Sequence, residues 1–304
     1  MLKNITVAFP GLGINGGEVN SVAFSLGENF NVMWYGVVIA LGMLMAIAYA
    51  CYRCKQHGIK IDDLVDIAIF TIFFGVIGAR LYYVAFNPTN FKTLGDILNL
   101  RSGGLAIYGG IIAGALTIVV VCLVKKISWL QLFDCAGPGV MLAQAMGRWG
   151  NFFNGEAYGS IVEEGHPLYF LRMGLISNNT YSDFGTSKMV YVHPCFLYES
   201  LWNILGVLLV YLFARFIHKK YDGQLFLMIF GWYGLGRMLI EGLRTDSLYF
   251  GPEEWGIRIS QALAAMIFIA AAALLIYFQI KKPNKPFYHK ESVVNNKNVK
   301  KGNK

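Results

Sequence analysis

Apolar residues in this chain come in long blocks, separated by short polar or basic stretches. The first block has no charged residue between Glu28 and Arg53, enough to cross a hydrocarbon core about 30 Å thick, which takes roughly 20 helical residues. Six further spans follow at about 64–86, 104–124, 128–147, 195–214, 224–241 and 258–280. The pattern predicts an all-α polytopic membrane protein with seven transmembrane helices. It divides into an outward N-terminal segment (1–29), a membrane domain (30–280) and a basic cytoplasmic tail (281–304). Seven spans do not split into equal halves and no internal repeat is visible, which counts against a transporter built from duplicated halves.

Composition agrees: 56% hydrophobic and 14% charged is too apolar for a soluble domain. The net charge of +8 could suggest nucleic acid, but the basic residues are placed as a topology signal. Sixteen of the 26 lie after spans one, three, five and seven, and only seven lie in the opposite segments. Positively charged loops stay inside, so the N-terminus is expected outside, the C-terminus in the cytoplasm, and no nucleic-acid partner. Residues 1–29 lack the basic start and cleavage site of a signal peptide. The tail, with Pro283, Pro286 and many Asn and Lys, is expected to be disordered against anionic headgroups. Cys51-x-x-Cys54 has neither a partner pair nor a nearby histidine, so no metal site is expected.

Orientation gathers the polar residues at one depth. Gly147 to Gly159, GRWGNFFNGEAYG, offers the guanidinium of Arg148, the carboxamides of Asn151 and Asn154 and the carboxylate of Glu156, with four glycines between them. It belongs to an outward loop region at about 148–194. Tyr35 opens span one; Arg80, Tyr83 and Asn87 share one face of span two; Arg101 to Gly110 leads into span three. His193 and Glu199 open span five, and Tyr233, Arg237, Glu241 and Arg244 form a stripe closing span six. A lone interfacial tyrosine or arginine is ordinarily a belt or snorkelling residue. Here six spans bring such groups to one outward level. Arg80, Arg101, Arg148, Arg237 and Arg244 outnumber Glu156, Glu199 and Glu241. Guanidinium forks match phosphate oxygens in pairs, so the surplus suits a phospholipid headgroup.

Four blocks resemble those of bacterial prolipoprotein diacylglyceryl transferases. They are Gly103-Gly104-Leu105-Ala106-Ile107-Tyr108-Gly109-Gly110, the Gly147–Gly159 stretch, His193-Pro194-x-x-Leu197-Tyr198-Glu199 and Gly236-Arg237-x-x-x-Glu241-x-x-Arg244. They occur in the family's order and the likeness spans roughly 30–280. The resemblance implies transfer of the diacylglyceryl group of phosphatidylglycerol to the lipobox cysteine of a preprolipoprotein signal peptide. The reaction makes a thioether, releases glycerol phosphate and needs no cofactor or metal; it takes place at the bacterial cytoplasmic membrane.

It also implies catalytic roles for Arg148, Arg237, Tyr108, Glu156 and Glu241. Tyr35, Gly103, Gly104, Asn151, Asn154, Gly159, His193, Glu199 and Arg244 are expected to bind substrate. At Tyr108 the pattern breaks, because many members carry a histidine proposed as base. A phenol with a pKa near 10 is a poor base at neutral pH, so either the base is elsewhere or Tyr108 orients a substrate. The competing reading is an anionic lipid transporter or flippase, which would need charges continuing toward the cytoplasm. The main deep charge, Asp134, is negative.

Overall fold

The computed structural model describes residues 5–27, 30–88, 91, 93–100, 103–217, 219–247, 249–250, 256 and 258–281. Arg101 and the basic tail after Lys281 lie outside them. The elements run β1 (Ile5–Phe9), β2 (Ile14–Val19), β3 (Val22–Ser25), β4 (Asn31–Met33), α1 (Trp34–Gln56), α2 (Ile61–Phe86), α3 (Leu94–Leu98), α4 (Ile107–Lys125) and α5 (Trp129–Asn154). Then follow β5 (Met173–Ile176), α6 (Asn178–Phe184), β6 (Val190–Val192), α7 (Cys195–Leu212), α8 (Gln224–Glu241) and α9 (Ile259–Lys281). The helix α7 runs on into one π-helical turn, Phe213–Ile217.

Among these, five helices are long and apolar enough to cross a membrane: α1, α2, α4, α7 with its π turn, and α9. The protein is thus mostly helical and of the polytopic membrane type. Each of the seven expected spans corresponds to a long helix. The two that are less apolar, α5 and α8, carry Asp134, Gln144, Arg148, Gln224, Arg237 and Glu241.

The all-α expectation needs correcting. Residues 5–19 and 173–192 build a four-stranded antiparallel sheet in the order β2-β1-β5-β6, and β3 pairs with β4. These strands are three to six residues long, and β1 meets β5 only across more than 160 residues, so no local period announces the sheet.

The chain forms two compact units, with α1 and α5 contributing to both. One contains residues 1–46 and 137–288. Here Val7, Met173, Leu175, Val190 and Val192 from the sheet pack with Tyr158 and with Phe196 at the start of α7. Sheet burial therefore fixes where α7 begins. A capping box between Ser177 and Thr180 starts α6, and Ser177 Oγ and Asn179 Nδ2 both donate to the Gly155 carbonyl just past α5. Further along, α7 and α8 are locked by two indoles: Trp202 Nε1 donates to the Trp232 carbonyl (2.9 Å) and Trp232 Nε1 to the Trp202 carbonyl (2.8 Å). The rings stack at 4.3 Å, and Gly206 and Gly236 leave the space they fill. Small residues allow such close approach where lipid supplies little hydrophobic drive between helices.

The other unit contains residues 47–136. Its core joins Ala50, Cys54, Leu64, Ile67, Cys122, Leu132 and Cys135, while α2 and α4 approach closely at Gly78 and Gly109. Arg80 is fully engaged here. Its five N–H groups reach the carbonyls of Ile97 (2.8 Å), Asp96 (2.7 Å), Asn99 (2.9 Å), Gly103 (2.5 Å) and Gly104 (2.9 Å), and its guanidinium lies over the Phe91 ring. Arg80 does not belong to the surplus of cations in which the sequence reading placed it: it closes the loop between α3 and α4.

Candidate active site

Three helices create the site: α5 six residues before its end, α7 at its start and α8 in its last turn. Glu199, at the fifth position of α7, is the hub. Its Oε2 meets Arg148 Nη2 at 2.6 Å, and its Oε1 meets Arg237 Nη1 at 3.3 Å and Arg244 Nη1 at 3.6 Å. One buried carboxylate facing three guanidiniums is electrostatically outnumbered, and two more acids flank it. Glu241, one helical turn after Arg237, meets Arg237 Nη2 at 2.6 Å and accepts from Ser247 Oγ at 3.0 Å. Asp246 grips Arg244 at both nitrogens, Nε at 2.8 Å and Nη2 at 2.6 Å. Arg258, just before α9, donates to the main-chain carbonyl of Glu241. Four arginines and three carboxylates leave the cluster a net cation in a buried setting.

Neighbouring polar pairs keep the helices in register. Trp149 Nε1 donates to Ser200 Oγ (3.3 Å) and Asn203 Nδ2 to Gln144 Oε1 (3.4 Å), so α5 is tied to α7 beside the Arg148–Glu199 pair. Breaking that pair would leave an uncompensated buried charge.

A second polar group follows at the end of α5. That helix runs to Asn154, so most of the Gly147–Gly159 stretch is helical; it does not begin at a helix end as the span expected at about 128–147 suggested. Seven residues beyond the expected limit of the span are added because the turn comes only at Gly155, in the left-handed region (φ 58). Asn151 Nδ2 and Asn154 Nδ2 both donate to Glu156 Oε1 at 3.1 Å. Glu156 thus differs from Glu199 and Glu241: its contacts among the described residues are carboxamides, with no guanidinium. Gly150 faces the Tyr35 ring, where an added Cβ would lie 2.6 Å from the ring carbon Cδ2.

Gly159 and His193 act through the backbone. The Gly159 amide donates to the His193 carbonyl (2.9 Å), and Gly159 bridges to Arg244 as a short antiparallel pair. A Cβ at Gly159 would come within 2.8 Å of the Leu243 carbonyl and of the His193 Cβ. This close approach delivers Arg244 to the cluster. The His193 ring is buried, with Nδ1 3.2 Å from the Tyr198 hydroxyl and its face near His166. Burial, and secondarily the neighbouring His166, hold it below the usual histidine range. At Asp246 burial works upward, yet the Arg244 hydrogen bonds prevail and keep the carboxyl below its ordinary value. Burial works against the Arg244 charge in the same way, and Asp246 more than compensates.

Of the residues expected from the sequence, Arg148, Glu199, Arg237, Glu241 and Arg244 come together around Glu199. Asn151, Asn154 and Glu156 form the second group, and Tyr35, Gly159 and His193 pack or bridge as described. Gly103, Gly104 and Tyr108 belong to the other unit, where the two glycines have positive φ (79 and 77) and Tyr108 is the second residue of α4. Sequence reasoning passed over Asp246, Ser247, Arg258, Trp149 and Ser200. The only signal for Asp246 was its place two residues after Arg244, which becomes informative once α8 is seen to end at Glu241.

The family profile described as prolipoprotein diacylglyceryl transferase matches residues 21–277. A phosphatidylglycerol–prolipoprotein diacylglyceryl transferase from Clostridium perfringens is 39% identical over 275 residues, covering 89% of this chain and 99% of that protein. One from Clostridium kluyveri is 41% identical over 267 residues (86% and 97%), and one from Streptococcus equi 38% over 259 (84% and 94%). With the match running through all four blocks and through the arginine–glutamate cluster, the chain belongs to the prolipoprotein diacylglyceryl transferase family.

Proposed function

We propose that this protein is a phosphatidylglycerol–prolipoprotein diacylglyceryl transferase, an enzyme that moves the diacylglyceryl group of phosphatidylglycerol onto the lipobox cysteine of a preprolipoprotein. The observation that carries the reading is the convergence of Arg148, Arg237 and Arg244 on the single carboxylate of Glu199. Three forks aimed at one point suit a phosphodiester, whose two free oxygens share the charge and gain a third when the glycerol carbon–oxygen bond breaks.

In the reaction the cysteine sulfur attacks the glycerol carbon that bears the phosphate oxygen. The new bond is C–S; the C–O bond breaks and its electron pair stays on the phosphate, which leaves as glycerol phosphate. Charge therefore grows on the phosphate at the transition state, where fixed guanidiniums stabilise it more than the ground state. Glu199 positions the forks, and Glu241 and Asp246 hold Arg237 and Arg244 from behind. Glu156, held among the described residues by two carboxamides rather than by an arginine, takes the thiol proton. Tyr108 donates a hydrogen bond to the phosphate or glycerol, and Gly103 and Gly104 keep the binding role that the resemblance implies.

The reading includes seven membrane-spanning helices, N-terminus outside and C-terminus cytoplasmic, with the site at the outer face where signal peptides emerge. It is supported by the Lys/Arg asymmetry and by the common end of α5, α7 and α8 at which the arginines lie. The test is purified protein with phosphatidylglycerol and a synthetic lipobox peptide. A peptide mass raised by one diacylglyceryl group, with equimolar glycerol phosphate, is the expected result. Unmodified peptide from protein that remains folded sinks the assignment.

A further inference from the structure

The paired strands β3 and β4 present a face that the transferase reading does not use. Phe24 lies opposite Val32, and Ser25 opposite Asn31. Side chains alternate across a strand, so Phe24 and Val32 share one face and Ser25 and Asn31 the other. The pairing continues one step through the hydrogen bond from the Leu26 amide to the Phe30 carbonyl (2.7 Å), which puts Leu26 and Phe30 with Phe24. The result is two-sided. One face is Phe24, Leu26, Phe30 and Val32, the first three exposed at 51%, 60% and 48%. On the other, Ser25 Oγ donates to Asn31 Oδ1 at 2.7 Å.

The chain itself says what meets the apolar face. β4 ends at Met33 and α1 starts at Trp34, with no spacer, and the Trp34 amide is bonded to the Ser21 carbonyl (2.9 Å). From Trp34 onward the helix is long and apolar enough to cross a membrane. Trp34 and Tyr35 are the residue types that sit at a membrane–water boundary. The strand pair is therefore anchored at that boundary, and three large apolar side chains exposed there are poorly placed in water. Trp34 also stacks on Phe153 (5.2 Å) in the last turn of α5, beside Asn151 and Asn154.

We infer that the Phe24–Leu26–Phe30–Val32 face docks on the lipid surface, its side chains entering the boundary between headgroups and acyl chains at the N-terminal end of α1. It extends the lipid contact of α1 sideways, as amphipathic segments do when they lie in the plane of a membrane. The inference is independent of the transferase assignment, since it needs only that α1 spans.

An environment-sensitive fluorophore at Leu26→Cys, in a Cys51→Ser background of the full chain in lipid nanodiscs, tests it. The four other cysteines are buried, and unsubstituted background protein measures residual labelling. The expected result is a blue-shifted emission that shallow nitroxide-bearing lipids quench and aqueous iodide does not. The same label at Ser25→Cys should show the reverse preference. Phe24→Cys serves as the second reporter should Leu26→Cys fail to fold. Equal iodide quenching at Leu26 and Ser25 overturns the inference. A blue shift that appears only at high protein-to-lipid ratio overturns it in favour of a second copy. One that appears only with added lipobox peptide overturns it in favour of that peptide.

Discussion

Arg148 and Arg237 both meet Glu199, but Arg237 is also held by Glu241, whereas the described ion pair of Arg148 is with Glu199 alone. Arg148 is thus the fork more readily turned to a phosphate. Arg148→Lys keeps the charge but loses the planar fork, and should lower turnover by about 100- to 1,000-fold, the usual effect of losing one oxyanion donor. Assay of the folded variant with lipobox peptide checks it; near-normal turnover would reduce Arg148 to a structural ion-pair partner. Tyr108→Phe separates donor from base. As a donor to a charged group the hydroxyl contributes about 1.5–3 kcal/mol, so the variant should slow roughly ten- to a hundredfold with an unmoved pH–rate profile. Glu156→Gln, by contrast, should remove the acid limb of that profile. If the limb is lost at Tyr108 and kept at Glu156, the two roles are exchanged. His193 adds a stability test. Its folded pKa is depressed below 6.5, so its contribution is present above that pH and is lost as pH falls and the unfolded state takes up the proton. Detergent-solubilised protein should lose thermal stability on acidification below pH 6.5 more steeply than His193→Gln.

At the scale of elements, side chains between helices set the geometry of the cluster. The reciprocal Trp202–Trp232 hydrogen bonds fix α7 against α8, and with them the distance from Glu199 to Arg237. A Cβ at Gly236 would come within 2.3 Å of the Trp202 indole as it stands, so the ring or the helix must shift. Gly236→Ala should cost about 1–3 kcal/mol through overpacking and lower turnover as well, because Arg237 is the next residue. Denaturation in detergent alongside the peptide assay checks both; an unchanged protein would mean that the indole pair yields freely. The π-helical turn at Phe213–Ile217 lies at the far end of α7 from Glu199.

At the scale of the whole molecule, the charge asymmetry of the loops predicts the topology. A reporter fused after Lys304 should be active only in its cytoplasmic form. One inserted at the exposed turn following Gly185 should be active only in its exported form. The reverse pair of results would turn the membrane orientation over and carry the site to the cytoplasmic face.

The sequence alone determined the membrane class and roughly where the long helices fall, and it named most of the residues that meet around Glu199. Each of these follows from local quantities: apolar length, basic residues between spans, and dense motifs whose spacing needs no partner. The strands could not be read in this way, because β1 and β5 are joined only when residues more than 160 positions apart pair. The partition of the arginines was equally hidden. Arg80 and Arg148 look alike in sequence, both polar interruptions near the end of an apolar run. Tertiary structure alone decided that five backbone carbonyls occupy the first, while the second faces Glu199. The physical reason is that a guanidinium's role depends on which acceptors surround it in space, and those acceptors come from loops and helices distant in the chain.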